Sequence, residues 1–193
     1  MIGNEIDLLR DVSARLQTAG IEFMVTGSMA MSFYAQPRMT RDIDFVVALS
    51  ASDGEKIVKL FEDDYYVERL SVDRAIARRS IFNLIHNQSA SKVDFIVLKS
   101  DPYRQEEFAR RRPIEIGAGK ETESMTPGFR TWIVSREDLI LSKLYWAKDS
   151  RSETQLRDVR NLLSGDCDME YLRSRAKTLG VHDLLEEVVN PRE

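Results

Sequence analysis

Apolar residues recur every three to four positions in "NEIDLLRDVSARLQTAG" (4–20), where Leu9, Val12 and Leu16 share one side, Asn4 stands as candidate N-cap and Gly20 as the stop. The spacing predicts an amphipathic helix. "IEFMVT" (21–26) then reads as a short strand closing at Gly27-Ser28, and "MAMSFYA" as a helix halted before "QPR" by Pro37. "RDIDFVV" is a strand by its alternation, "DGEKIVKLFEDD" a helix, and "IFNLI" and "KVDFIVL" two further strands. "EEFARRR" is expected to be helical, "PIEI" a short strand and "GAGKETESMTPG" a loop rich in Gly, Ser and Thr. After "TWIV" the pattern changes, and from Ser135 onward it is helical. The order of elements predicts an α+β fold, with a mixed β-sheet core flanked by helices in residues 1–134 and a C-terminal helical part, 135–193, packed on that core.

With 193 residues and 42% hydrophobic content, the chain can bury one sizeable core. A net charge of -4 gives no overall attraction to nucleic acid, and the basic clusters "ARRRP" and "RAIARRS" read as solvated surface. The single cysteine, Cys167, excludes an internal disulfide and a cysteine-built metal site. No basic, apolar leader opens the sequence, and no apolar stretch approaches the roughly 18 residues needed to span a bilayer, so a cytoplasmic protein without membrane contact is expected.

Candidate chemistry lies in the strands. Aspartate is disfavoured in strand interiors and costly to bury, yet "RDIDFVV" holds Asp42 and Asp44 on one face, with Ile43, Phe45 and Val47 on the other. Two carboxylates so placed repel unless a cation sits between them. "KVDFIVL" repeats the pattern with Asp94, and if the two strands are neighbours, three carboxylates converge on one patch of sheet. Oxygen-only ligands of this kind suit Mg2+ or Mn2+. Gly27 lets the backbone turn sharply near a ligand, and Ser28 with the amides opening the next helix can cradle phosphate. Carboxylates for metal beside a turn for phosphate describe phosphoryl or nucleotidyl transfer. The alternative is a salt-bridge cluster of the three aspartates with Arg38, Arg41 and Lys92.

The Gly-Ser turn opening a helix, the "RMT" stretch (Arg38 to Thr40), "DID" and a later lone aspartate in an apolar strand together resemble the polymerase-beta-type nucleotidyltransferase superfamily. Within it the chain is most similar to the AbiEii-like nucleotidyltransferases of type IV toxin–antitoxin and phage-defence systems, since "SREDLILSKLYWAK" and "LRDVRNLL" resemble their downstream helices. The resemblance runs from about residue 21 to 163. It implies Gly27 and Ser28 as the phosphate turn, Asp42, Asp44 and Asp94 as metal and catalytic carboxylates, and Lys143 as a lysine contacting nucleotide. It further implies an NTP substrate, a divalent ion, an acceptor hydroxyl on tRNA, protein or a small molecule, and an antitoxin partner. A catalytically silent binding module of the same fold and an antibiotic-type transferase are the alternatives.

Ser135 with Asp138 fits a capping box that starts a helix. Lys143 has no acidic neighbour three or four positions away on that helix, and Asp158, in the next one, has no such cation. The two either bridge to pin the helices or serve the nucleotide, Lys143 meeting phosphate or base while Asp158 orients it. Arg38 and Thr40 precede the carboxylate strand as candidate nucleotide contacts, Arg38 otherwise being a solvated turn residue. His86 and His182 show no ligand spacing, and Tyr65, Tyr66, Trp132 and Trp146 read as core or rim aromatics rather than base-stacking platforms.

Overall fold

The computed structural model of the chain describes residues 2–37, 42–117 and 128–190. Its first part runs α1 (Ile2–Thr18), β1 (Phe23–Thr26), α2 (Gly27–Met31), β2 (Asp42–Val47), α3 (Gly54–Phe61), β3 (Tyr65–Tyr66), α4 (Arg69–Arg78), β4 (Ile81–His86) and β5 (Lys92–Val97). After α5 (Pro102–Ala109), β6 (Arg112–Ile116) and β7 (Phe129–Ile133), the rest is helical: α6 (Arg136–Ser150), α7 (Glu153–Leu163), α8 (Met169–Leu179) and α9 (His182–Val189). The strands form one mixed sheet in the order β3-β4-β5-β2-β1-β7-β6. This is the α+β architecture that the sequence pattern predicts.

Alternation along the central strands decides the two faces. Ile43, Phe45 and Val47 of β2 and Val93, Phe95 and Val97 of β5 are buried, and an aromatic file fills the space behind them. Phe95 meets Phe45, Phe61 and Phe82 edge-on at centroid distances of 5.7, 5.6 and 5.2 Å, and Phe61 meets Tyr65 at 5.3 Å. Each buried Phe contributes roughly 1.5–3 kcal/mol, and each tilted pair adds about 0.5–1.5. Arg15 of α1 lies over the Phe61 and Tyr65 rings, so α1 and α3 cover this face. The opposite face carries the aspartates and is roofed in part by α5 and α6.

Several elements differ from expectation. Helix α1 begins at Ile2, so Asn4 lies within it and does not cap it. Helix α2 stops at Met31 instead of running to Ala35, and turns follow to Tyr34. Within "RAIARRS" lies the end of α4, an element whose many charges mask the three buried positions Val72, Ala75 and Ile76. Helix α5 starts before "EEFARRR", capped by the Asp101 carboxylate on the Arg104 amide, and it ends at Ala109, leaving Arg112 to open β6. The two-residue β3 is too short for periodicity to show. The Gly- and Thr-rich loop lies mostly outside the described residues.

Candidate active site

The polar face of the sheet is set by strand register. Thr26 of β1 stands opposite Asp44 of β2, Asp44 opposite Asp94 of β5, and Asp94 opposite Asn83 of β4, so four polar residues cross the sheet in one row. Asp42 stands two residues before Asp44, opposite Lys92. Asp94 is held from both sides: Asn83 Nδ2 donates to one oxygen at 2.6 Å and Lys92 Nζ to the other at 2.9 Å. Gly27 follows Thr26 with φ +65, and a Cβ on it would fall 2.0 Å from Asp44 Oδ2. The turn therefore brings bare backbone against a carboxylate. Gly27 opens α2, and Ser28 follows it there, buried.

Negative charge is crowded here. Burial, then the charges of Asp94 and Asp42, raise the Asp44 carboxyl from its ordinary 3.8 to about 6, against the opposing pull of Lys143 and Lys92. A carboxyl raised on folding is protonated in both states below its unfolded pKa, so it costs nothing there. As pH rises from about 4 to 6 the unfolded chain releases a proton that the folded chain keeps, and stability falls by roughly 2–3 kcal/mol over that window. Asp44→Asn is accordingly expected to melt higher than the native protein at pH 7.5 in a chelator, with the gap closing toward pH 4. Melting curves across that range test it, and a gap that stays constant contradicts the electrostatic reading.

Helix α6 supplies the opposite wall. It starts at Ser135 as expected, with Ser135 Oγ accepting from the Asp138 amide at 3.1 Å, the N-cap half of the expected box. The fully buried Asp138 carboxylate then receives Ser135 Oγ at 2.5 Å, Tyr171 Oη of α8 at 2.8 Å and Arg110 Nε at 3.1 Å. So anchored, α6 directs Lys143 inward, where its Nζ donates to Asp158 Oδ2 of α7 at 2.6 Å with both side chains buried. Gln155 Oε1 is a longer acceptor at 3.4 Å. The bridge exists, and Lys143 also lines the cleft that contains Gly27, Ser28 and Asp44. Asn161 of α7 clasps Gln36, donating to its carbonyl at 2.9 Å and accepting from its amide at 3.4 Å. That clasp fixes the chain just before Arg38 and Thr40, which lie outside the described residues.

The cleft has a volume of about 280 Å³. Its remaining polar wall escaped sequence reasoning: Arg104 Nη1 donates to Glu107 Oε2 at 2.8 Å and to Ser142 Oγ at 2.6 Å, and Ser142 donates to Glu107 Oε1 at 2.7 Å. Burial pushes the Glu107 carboxyl up against the charge of Arg104. Arg104 and Glu107, three apart on a helix, carry the only signal that could have found this group. His86 instead bonds Ser89 at 2.8 Å on the covered side of the sheet, near Tyr65.

Hard oxygen donors on one face, with Asp44 raised by burial and then by the like charges of Asp94 and Asp42, suit a divalent cation in chemical kind. They do not form a closed cage: among the described residues no group of three or more His, Cys, Asp and Glu stands ready to hold a metal ion, and Asp94 is engaged by Asn83 and Lys92. Such donors fit an ion that brings phosphate oxygens and water as further ligands. Among the described residues no helix is long and apolar enough to cross a membrane.

The fold is shared with solved nucleotidyltransferase structures. An antigenic nucleotidyltransferase-like protein from Paracoccidioides brasiliensis superposes with a TM-score of 0.63 at 15% identity, over 97% of this chain and 89% of its own. The antibiotic-resistance factor ANT(2'')-Ia matches with a TM-score of 0.55 at 16% identity, over 96% and 100%. A nucleotidyltransferase-like structure from Thermotoga maritima matches at 0.50 and 16%, over 79% and 90%. No curated protein matches the sequence. The family model described as "Nucleotidyl transferase AbiEii toxin, Type IV TA system" matches residues 7–184, a span that takes in most of α1 and the helical tail beyond the motifs, and the chain belongs to that AbiEii family of nucleotidyltransferases.

Proposed function

We propose that the protein is a metal-dependent nucleotidyltransferase that moves a nucleoside monophosphate from an NTP to an acceptor hydroxyl of RNA, protein or a small molecule, as the toxin-type component of a type IV toxin–antitoxin or phage-defence system. One observation carries the reading: the Gly27 backbone lies against Asp44 in a row of carboxylates, and Lys143 faces the same cleft. Gly27 and Ser28 hold the triphosphate through backbone amides and a hydroxyl, and Arg38 and Thr40 are further nucleotide contacts. Lys143, oriented by Asp158, adds positive charge beside the phosphates. Asp94 accepts the proton of the acceptor hydroxyl, whose oxygen attacks the α-phosphorus in line while pyrophosphate leaves. Asp42 and Asp44, with Asp94, are the residues for Mg2+ or Mn2+, which when bound neutralises phosphate charge and polarises the reacting oxygens. The family description supports an antitoxin partner, and the single free cysteine suits the cytoplasm.

Incubation with each labelled NTP, Mg2+ and total cell RNA or protein is the test. Label should pass to one acceptor pool and be lost in Asp42→Asn and Asp44→Asn, which keep the fold. The hold of Asn83 and Lys92 on Asp94 favours a second reading, a nucleotide-binding module without turnover. NTP binding without transfer to any pool would establish that one instead.

A further inference from the structure

The turn of Gly27 and Ser28 is carried by α2, a helix too short to hold itself. Its five residues close little more than one turn, and Thr26 at the N-cap makes no side-chain cap bond, so tertiary contacts must supply its stability. Those contacts gather at its far end. The Tyr34 amide donates to the Met31 carbonyl at 2.9 Å. Tyr34 Oη donates to the Val134 carbonyl at 2.7 Å, and the Val134 amide donates to Val25 of β1 at 2.9 Å, which ties the end of α2 back to the strand that leads into the turn. Arg136 takes the remaining group: its Nη2 donates to the Tyr34 carbonyl at 3.0 Å, and its guanidinium lies over the Tyr34 ring at 5.4 Å. Nη1 of the same group reaches the Leu162 carbonyl in the last turn of α7 at 3.4 Å, where a cation suits the partial negative charge of a helix C-terminus. Gly165, just beyond α7, leaves room for it. A Cβ there would fall 1.3 Å from Arg136 Nη1 and 2.5 Å from its Cζ, so the guanidinium occupies the place of a side chain.

Resting on the nucleotidyltransferase reading, we propose that Arg136 is the positioning residue of the phosphate turn: seated in the notch at Gly165, it fastens the Tyr34 end of α2 to the end of α7 and so sets where Gly27 and Ser28 meet the triphosphate. Arg136 does not line the cleft and acts only through Tyr34. It opens α6, the helix that also carries Lys143, so one element places both the turn and the lysine. A shift of about 1 Å is enough to cost on the order of 100-fold in a site that works by positioning, and a helix of one turn passes a displacement at Tyr34 directly to Gly27.

Gly165→Ala isolates the effect, because the added methyl displaces the guanidinium while the arginine and every residue of the cleft are kept. Titration calorimetry with Mg2+ and either inorganic tripolyphosphate or a non-hydrolysable NTP tests it, at a temperature where circular dichroism shows each variant folded. Gly165→Ala and Arg136→Ala should each weaken both ligands by the same factor, roughly tenfold or more, since the turn holds phosphates and not the rest of the nucleotide. The double variant should bind no more weakly than Arg136→Ala, since the methyl acts only through the guanidinium. Native affinity for tripolyphosphate in both single variants, even with a lowered melting temperature, makes Arg136 a structural pin and overturns the proposal with the transferase reading intact. Losses that add in the double variant overturn it too. A native protein that binds neither ligand defeats the transferase reading, and the proposal with it.

Discussion

Gly27→Ala is expected to lose nucleotide binding and to melt well below the native protein. A non-glycine residue at φ +65 costs about 1–2 kcal/mol through its Cβ alone. The new methyl would also fall 2.0 Å from Asp44 Oδ2 and 2.7 Å from its Cγ, so the carboxylate must leave its place in the row. Gly20→Ala supplies the control. Gly20 has nearly the same backbone, φ +67, but nothing lies within 4 Å of its added Cβ. The two variants should share the backbone penalty, and only Gly27→Ala should lose more than about tenfold in NTP affinity, equivalent to about 1.4 kcal/mol. Melting curves and NTP titrations of both variants check this. Equal affinity losses would separate the turn from the carboxylates.

The second large effect is expected at the Lys143–Asp158 pair. With both side chains about 5% exposed or less, removing one partner strands the other's charge, and Lys143→Ala and Asp158→Ala should each lose roughly 3–5 kcal/mol. Replacing both together, Lys143→Met with Asp158→Leu, removes the stranded charge and should recover most of that loss. Nucleotide binding should not return with it, because the lysine that faces the cleft is gone. Urea unfolding and NTP titration on the same samples measure the two quantities. A stable double variant that binds NTP normally would make the pair a structural pin alone.

The site was legible where a residue type contradicts its local pattern. Aspartates in alternating apolar strands can only point away from the core, and the parallel register that sets Asp44 beside Asp94 follows once β2 and β5 are neighbours. Lys143 and Asp158 stood out as charges with no opposite charge three or four positions away on their own helices; their bridge depends on how two helices meet, which no spacing encodes. Arg104, Glu107 and Ser142 were illegible because ordinary charged and polar residues look solvated until α5 and α6 bury them together. Trp146 sits at the rim of the cleft, where the sequence allowed it, though its exposure was not foreseeable from helical spacing. Helix α4 was hidden for the reverse reason: its charges outnumber the three positions that pack.

The Asp138 carboxylate has a bearing on the timing of biosynthesis. It gathers Arg110, which precedes α6 in the chain, and Tyr171, which follows it by two helices, around the turn that aims Lys143 into the cleft. Until Tyr171 has emerged from the ribosome, a growing chain holds the carboxylate row complete but leaves Asp138 with a partner missing and α6 without its full anchor. The aim of Lys143 into the cleft is therefore completed only once the chain through Tyr171 has been made, well after the carboxylate row itself.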